Sequence, residues 1–132
     1  MQTFLPYPSF EKSAKALDYK RLGKQRLEAK QILNALMPNS TSRWRNHPAV
    51  KMWKGYEKAL KLYYNEMVKE WIRRGYKNSM SLYEVSDVIL PHWLGNSEFH
   101  SSHRSNLLRK NYDFYCQYGW IENLSKPYIW PK

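Results

Sequence analysis

Acidic residues are scarce in this 132-residue chain, in which 11 Asp and Glu stand against 22 Lys and Arg. The resulting formal net charge of +11 disfavours cationic partners and favours a polyanion, with nucleic acid ahead of an anionic membrane surface. Cysteine is scarcer still, because Cys116 is the only one. A single cysteine excludes an intramolecular disulfide and a cysteine-rich zinc site, and it fits a reducing cytoplasm.

Long hydrophobic runs are also missing. No stretch approaches transmembrane length, and the opening "MQTFLPYPSF" lacks the apolar run of a signal peptide. No run of alternating apolar and polar residues predicts a strand. Hydrophobic residues nevertheless make up 42% and aromatic residues 16% of the chain, which argues against disorder. We therefore predict a compact, all-α, single-domain bundle over residues 1–132.

The bundle is expected to contain about four helices between an extended N-terminal arm and an aromatic C-terminal tail. The arm covers the first eight residues, which include two prolines. Caps and breakers then set the helix limits. The predicted helices run from the Ser9 cap to about Met37, from Pro48 to Arg74, from Ser79 to Ile89, and from the Ser97 cap to about Lys110.

The stretch "RLGKQRLEAKQIL" concentrates charge in the first predicted helix. On a helical wheel Arg21, Lys24 and Glu28 share a wedge of about 60° beside the apolar stripe, and Arg26 lies at the other border of that stripe. Glycine is unfavourable in a helix interior, so Gly23 indicates that another group approaches the backbone closely at this position. The cluster is either a solvated surface or one wall of a cleft that binds a polyanion.

Polar residues also lie on the inward face of the last predicted helix. His100, His103 and Arg104 share that face with apolar residues, so they are either hydrogen-bonded in the core or line a cleft. The "WRNHP" loop connects the two long helices and could bring His47 to the same cleft. A metal site at these histidines is not expected, because no recognised ligand spacing is present and the neighbouring arginines would repel a cation.

Four stretches resemble the pyrimidine-dimer DNA glycosylase/AP lyase (phage endonuclease V-like) family, in a remote bacterial and phage branch. They are "MQTF", "LDYKRLGKQRLEAKQIL", "RWRNHPAVKMW" and "FHSSHRSNLLRKNYDFY". The resemblance implies a helical, monomeric enzyme that needs no cofactor and extrudes a nucleotide from damaged or modified duplex DNA. It also implies a cytoplasmic, nucleoid-associated protein of a bacterium or a phage-infected cell.

The resemblance further implies a Schiff base between a protein amine and the sugar C1′, followed by β-elimination. Carried over by motif, Glu28 is the assisting glutamate and Arg26 the backbone-binding arginine, with Arg21 or Lys24 as the alternative register. The family's nucleophile is the α-amine of the mature N-terminus. Because the bulky Gln2 favours retention of the initiator, that amine belongs here to Met1, unless the chemistry has moved to Lys24 or has been lost.

Two other functions remain open at this stage. One is a binder of bent or damaged DNA without catalysis, and the other is an RNA- or nucleotide-directed enzyme that uses His100 and His103 as acid–base groups. The sequence-predicted catalytic residues are Met1, Lys24, Glu28 and His103. The sequence-predicted DNA contacts are Arg21, Arg26, Arg43, Arg45, Asn46, His47, His100, Arg104 and Lys110.

Overall fold

Helices provide all the regular secondary structure in residues 1–131, the part of the chain that the computed structural model describes. No β-strand occurs in that range, so the predicted all-α fold is confirmed. The helices are α1 (Phe10–Ala16), α2 (Tyr19–Ala35), α3 (Pro48–Lys51), α4 (Glu57–Arg73), α5 (Ser97–Lys110) and α6 (Tyr112–Tyr115), followed by a 3₁₀ turn at Cys116–Tyr118.

The first predicted helix is two helices, so the prediction of one continuous helix is wrong. Ser9 caps α1 as expected, by accepting a hydrogen bond from the Lys12 N–H. The chain then becomes extended at Leu17 and Asp18 before α2 begins. Tertiary contacts compensate for this break, because the Arg74 guanidinium donates to carbonyls at the end of α1. Helical periodicity alone carries no signal for such distant partners.

The second predicted helix is also interrupted. A single turn, α3, ends at Lys51, and α4 begins at Glu57. Gly55 lies between them with φ +87°, a left-handed conformation that glycine adopts without steric cost. Its N–H donates to the Glu57 carboxylate over 2.9 Å. The bend leaves the buried Trp53 indole free to donate to the Thr3 hydroxyl over 3.1 Å.

The third predicted helix does not form, and residues 79–89 contain no helix. Side chains of α4 bond the backbone of this segment instead. The Asn65 amide both donates to the Tyr83 carbonyl and accepts from the Tyr83 N–H, each over 2.9 Å. The Tyr64 hydroxyl donates to the Ser81 carbonyl over 2.8 Å. These bonds replace the helical ones and hold the segment against α4.

The fourth predicted helix has the expected limits, but its cap is Asn96 and not Ser97. The Asn96 side chain accepts from the Phe99 N–H over 3.0 Å. An asparagine is at least as good a cap as a serine, so Asn96 caps the helix in place of Ser97.

The centre of the molecule lies where α2 and α4 pack together, with α1 also against α4. The predicted apolar faces are buried there, including Leu22 of α2 and Leu60 of α4. Gly23 has the close neighbour that the sequence required. A Cβ atom at this position would lie 3.1 Å from the ring of Trp71. The glycine therefore lets the Trp71 indole pack directly on the α2 backbone.

Arg74 connects α4 to the end of α1, and its removal is expected to destabilise the protein. Its guanidinium donates to the Leu17 carbonyl over 2.8 Å and to the buried Glu70 carboxylate over 2.8 Å. We expect Arg74→Ala to lower the free energy of unfolding by about 1.5–3 kcal/mol, because these bonds involve charged groups. Urea denaturation measures this loss.

The matched control is Arg73→Ala, since Arg73 bonds the same Glu70 but has a side chain that is 62% exposed. Water screens that ion pair, so the loss should be clearly smaller than that of Arg74→Ala. Equal losses in the two variants would contradict the role given to Arg74.

Candidate active site at the N-terminal arm

The N-terminal arm has no regular secondary structure and bends at residues 6–8, and side chains bond its backbone. The Gln2 N–H donates to Oε2 of Glu28 over 3.3 Å. The Gln25 amide donates to the Gln2 carbonyl over 2.9 Å and accepts from the Phe4 N–H over 3.1 Å. The Tyr63 hydroxyl donates to the Phe4 carbonyl over 2.9 Å. The start of the chain is therefore held against α2 and α4.

Helix α5 bonds the next part of the arm. Nδ1 of His103 accepts from the Leu5 N–H over 2.9 Å, and Nδ1 of His100 lies 2.8 Å from the Leu5 carbonyl oxygen. The Arg104 guanidinium donates to the Pro6 carbonyl over 2.8 Å. These three α5 side chains thus bond two consecutive residues of the arm.

The two histidines are core residues, as one of the two sequence interpretations allowed. Burial, and then the adjacent His100, lower the pKa of His103 to about 3. Burial likewise lowers the pKa of His100, whose ring also accepts from the Gly95 N–H over 2.9 Å. Both side chains are buried and face the arm, which disagrees with acid–base catalysis by His103 and with DNA contact by His100.

Arg104 is also a poor fit to its predicted DNA contact. Besides Pro6, it bonds the Glu122 carboxylate over 3.0 Å and so joins the arm to the C-terminal tail. Two nitrogens of the guanidinium thus bond other parts of the protein, and the side chain is only 21% exposed.

A pocket of about 350 Å³ opens at the end of the arm. The pocket is lined by Met1, Gln2, Phe4, Lys20, Arg21, Lys24, Gln25, Glu28, Lys110 and Tyr128. Its charged residues come from α2, which contributes Lys20, Arg21, Lys24 and Glu28, and from the end of α5, which contributes Lys110. The pocket thus combines the N-terminal residue, one carboxylate and four cationic side chains, an arrangement that suits an anionic ligand.

Glu28 is oriented towards the start of the chain. Its Oε2 accepts both from the Gln2 N–H and from Nε2 of Gln25, the latter over 3.0 Å. Gln25 is buried and its amide oxygen is already used by Phe4, so the direction of the amide is determined. Glu28, Met1 and Lys24 therefore share one pocket, which is the condition that the predicted chemistry requires.

Arg21 is held in the pocket wall by Asp18. The guanidinium lies 3.3 Å from the Asp18 carboxylate, and that carboxylate also accepts from the Tyr115 hydroxyl. Burial and the bond to Asp18 raise the pKa of Tyr115 above its ordinary value, so the phenol remains a donor. This contact joins α6 to the residue that precedes α2.

Arg26 lies outside the pocket, so its assignment as the arginine beside Glu28 disagrees with the structure. Its guanidinium stacks 4.0 Å above the ring of Trp71 and faces Asn78 at 3.5 Å. Burial lowers its pKa. The alternative register agrees with the geometry, because Arg21 and Lys24 are the cations that line the pocket with Glu28.

The loop before α3 does not line this pocket. Arg43, Arg45 and Asn46 are exposed, and Arg45 bonds the Ser42 carbonyl over 2.8 Å. Nδ1 of His47 accepts from the Ala49 N–H over 3.0 Å and so caps α3.

His47 is nevertheless close to the start of the chain. Burial lowers its pKa, and the charge of the N-terminal amine lowers it further. Its ring contacts Trp130, whose ring in turn contacts Tyr128 of the pocket wall. The exposed loop thus adjoins the pocket through these aromatic side chains.

Sequence reasoning missed five residues of the pocket lining, which are Gln2, Phe4, Lys20, Gln25 and Tyr128. Gln25 was detectable, because residues three apart on a helix are neighbours and Gln25 precedes Glu28 by that spacing. Lys20 extends the same basic stretch. Tyr128 has no local signal, since only tertiary packing brings the tail to α2. Burial raises the pKa of Tyr128 to about 12, so its hydroxyl stays protonated.

No group of three or more His, Cys, Asp or Glu within residues 1–131 is arranged to hold a metal ion. None of the helices described there has the length and apolar character needed to cross a membrane.

Comparison with known proteins gave one match. A protein-family model described as pyrimidine dimer DNA glycosylase matches residues 1–84, which include the arm, α1 to α4 and most of the pocket lining. No curated protein and no solved structure matches the chain at a significant level. The matched part exceeds half of the chain, and the chain therefore belongs to the pyrimidine dimer DNA glycosylase family.

Proposed function

We propose that this protein is a DNA glycosylase with AP lyase activity, which acts on damaged or modified pyrimidines in duplex DNA. The nucleophile is the α-amine of Met1. One observation carries the proposal: the Gln2 N–H lies 3.3 Å from the Glu28 carboxylate, and Met1 lines the same cationic pocket. An amine one residue before Gln2 is therefore within reach of a sugar bound beside Glu28.

An α-amine suits this role better than a lysine amine does. Its reference pKa of about 7.7–8.0 leaves a useful fraction unprotonated at neutral pH, whereas lysine begins near 10.4. The amine attacks C1′, the bond from C1′ to the base breaks, and the base leaves with a proton. The C1′–O4′ bond then breaks and O4′ takes up a proton, which opens the sugar ring and leaves a protonated imine between the Met1 nitrogen and C1′.

Glu28 acts as the proton-transfer group in the following step. It removes a proton from C2′, the bond from C3′ to oxygen breaks, and the 3′ phosphate leaves, which cuts the strand. Water then hydrolyses the imine and releases the amine. The cations of the pocket, Lys20, Arg21, Lys24 and Lys110, bind the phosphates on either side of the extruded nucleotide.

The proposed substrate is double-stranded DNA bound by a monomer in the cytoplasm, at the nucleoid. Tyr128 and Phe4 form the aromatic side of the pocket, and they can replace part of the stacking that an extruded nucleotide loses. An RNA-directed reaction on His100 and His103 is disfavoured, because both rings are buried and the Nδ1 atom of each faces the Leu5 backbone.

Borohydride trapping on abasic duplex DNA, followed by mass spectrometry of the linked peptide, tests the proposal. We expect the adduct on the peptide that begins with Met1. Lys24→Ala should still form it, as should the control Lys30→Ala, which removes an exposed α2 lysine outside the pocket. When protein saturates the DNA, each variant should retain trapping within about threefold, because neither amine forms the imine; Lys24→Ala should need more protein to reach saturation, because it loses a phosphate contact.

Two results would overturn the assignment. An adduct on Lys24 would move the nucleophile to α2. Salt-sensitive binding without any adduct or strand cleavage would make the protein a DNA binder with no lyase activity.

A further inference from the structure

The histidine pair of α5 has no part in the proposed chemistry, and yet it bonds the chain that carries the amine. Both backbone polar groups of Leu5 face a histidine ring: the N–H donates to His103 over 2.9 Å, and the carbonyl lies 2.8 Å from His100. We propose that His100 and His103 are positioning residues, which hold the arm at Leu5 so that the Met1 amine reaches the sugar beside Glu28. This inference rests on the proposed function.

The bond pattern assigns complementary tautomers to the two rings. His103 accepts at Nδ1, so its proton is on Nε2. His100 accepts from the Gly95 N–H at Nε2, so its proton is on Nδ1 and is donated to the Leu5 carbonyl. One ring therefore supplies the acceptor and the other the donor, as a neighbouring strand would do for one residue.

Apolar packing alone would not hold the arm in this register. The Leu5 side chain is fully buried, but non-directional contacts tolerate a shift along the chain. Two directional bonds to one residue do not tolerate it. Only three residues separate Leu5 from Met1, and four residue steps span at most about 13–14 Å, so a shift at Leu5 displaces the amine at the pocket.

The hydrogen bonds of His103 also indicate a role beyond stability. Its Nε2 is buried and has no partner in the described residues. A buried donor without a partner costs stability, so a histidine is a poor choice for packing alone at this position. Its Nδ1 acceptor, by contrast, has a specific partner in the Leu5 N–H.

Hydrogen bonds to the arm residues before Leu5 connect this histidine pair with the pocket. Gln25 and Tyr63 bond Phe4, the residue before Leu5. Gln25 also bonds both the Gln2 carbonyl and the Glu28 carboxylate. The position of Leu5 is thereby coupled to the geometry between the start of the chain and Glu28.

Two amide substitutions at His103 test the proposal with matched chemistry. In His103→Asn the side-chain oxygen occupies the position of Nδ1 and can accept from Leu5. In His103→Gln the polar atoms lie one bond farther out, at the position of Nε2. We expect His103→Gln to lower the single-turnover rate of adduct formation at Met1 by about 10- to 100-fold, since small misplacements of a nucleophile have effects of this size.

His103→Asn should recover most of the wild-type rate. Both variants should bind abasic duplex with a Kd within about threefold of wild type, because the pocket cations are untouched. A purely structural role would lower the rate of both variants together with their binding. Equal adduct rates for His103→Asn and His103→Gln would overturn the proposal.

Amide hydrogen exchange at Leu5 separates this inference from the proposed function. If wild type forms no adduct, the proposed nucleophile is wrong, and exchange alone then decides the positioning role. Exchange at Leu5 should be faster in His103→Gln than in His103→Asn by about tenfold, the effect of one lost hydrogen bond. Equal exchange in the two variants would overturn the inference whatever the activity.

Discussion

Replacing Glu28 with Gln is expected to lower strand cleavage on abasic duplex DNA by about 10²–10⁴-fold in single-turnover experiments, the usual contribution of a positioned acid–base group. The amide oxygen of the variant can still accept from Gln2 and Gln25, so the arm should keep its position. What the variant loses is the ability to take the C2′ proton. Binding should be unchanged or tighter, because a negative charge is removed from a cationic pocket.

Glu84→Gln is the matched control for this experiment. It changes the net charge by the same amount at an exposed position outside the pocket. We expect cleavage by Glu84→Gln to stay within about twofold of wild type, as is usual for a surface substitution. Equal cleavage by wild type and Glu28→Gln would exclude the carboxylate from proton transfer.

Lengthening the chain by one glycine before Met1 is expected to have an effect of similar size. The added residue moves the terminal amine by about 3.8 Å, the distance between consecutive Cα atoms. The arm cannot slide back to compensate, because the bonds at Gln2, Phe4 and Leu5 hold its register. We expect the rate of adduct formation to fall by at least about 100-fold, since the reacting atoms must start within about 3.5 Å of each other.

The variant with the added glycine should bind abasic duplex with the same salt dependence as wild type, because its phosphate-binding cations are unchanged. A second preparation, acetylated at the Met1 nitrogen, keeps the length within a few atoms and removes the nucleophile. It should form no adduct at all. Full trapping at an internal lysine in either preparation would contradict the assignment of the α-amine.

The two arginines of α2 illustrate what helical periodicity can and cannot predict. Arg21 and Arg26 both lie beside the apolar stripe, so the wheel alone makes either a candidate partner of Glu28. In the structure the Arg26 guanidinium lies over the ring of Trp71, whereas the Arg21 guanidinium pairs with Asp18 in the pocket wall. Which arginine lines the pocket depends on contacts made by the folded chain, and the periodicity of α2 does not reveal these contacts.

The breaks in the predicted helices have the same cause. Only tertiary partners explain why the chain leaves the helix at Leu17, where Arg74 bonds the freed carbonyls. The same holds for the segment that includes Tyr83, which the Asn65 side chain bonds in place of a helix. At Gly55 a local signal existed, because glycine favours the positive φ found there.

The helical class, the excess of positive charge and the place of Glu28 within a basic stretch are all readable from the amino-acid sequence, because each follows from composition or from periodicity within one helix. The pocket formed by Met1, α2 and the C-terminal tail, and the bonds of the α5 histidines to the arm, become visible only in the folded chain. They depend on buried backbone groups that must find partners, and those of the arm find them in side chains far away in the chain.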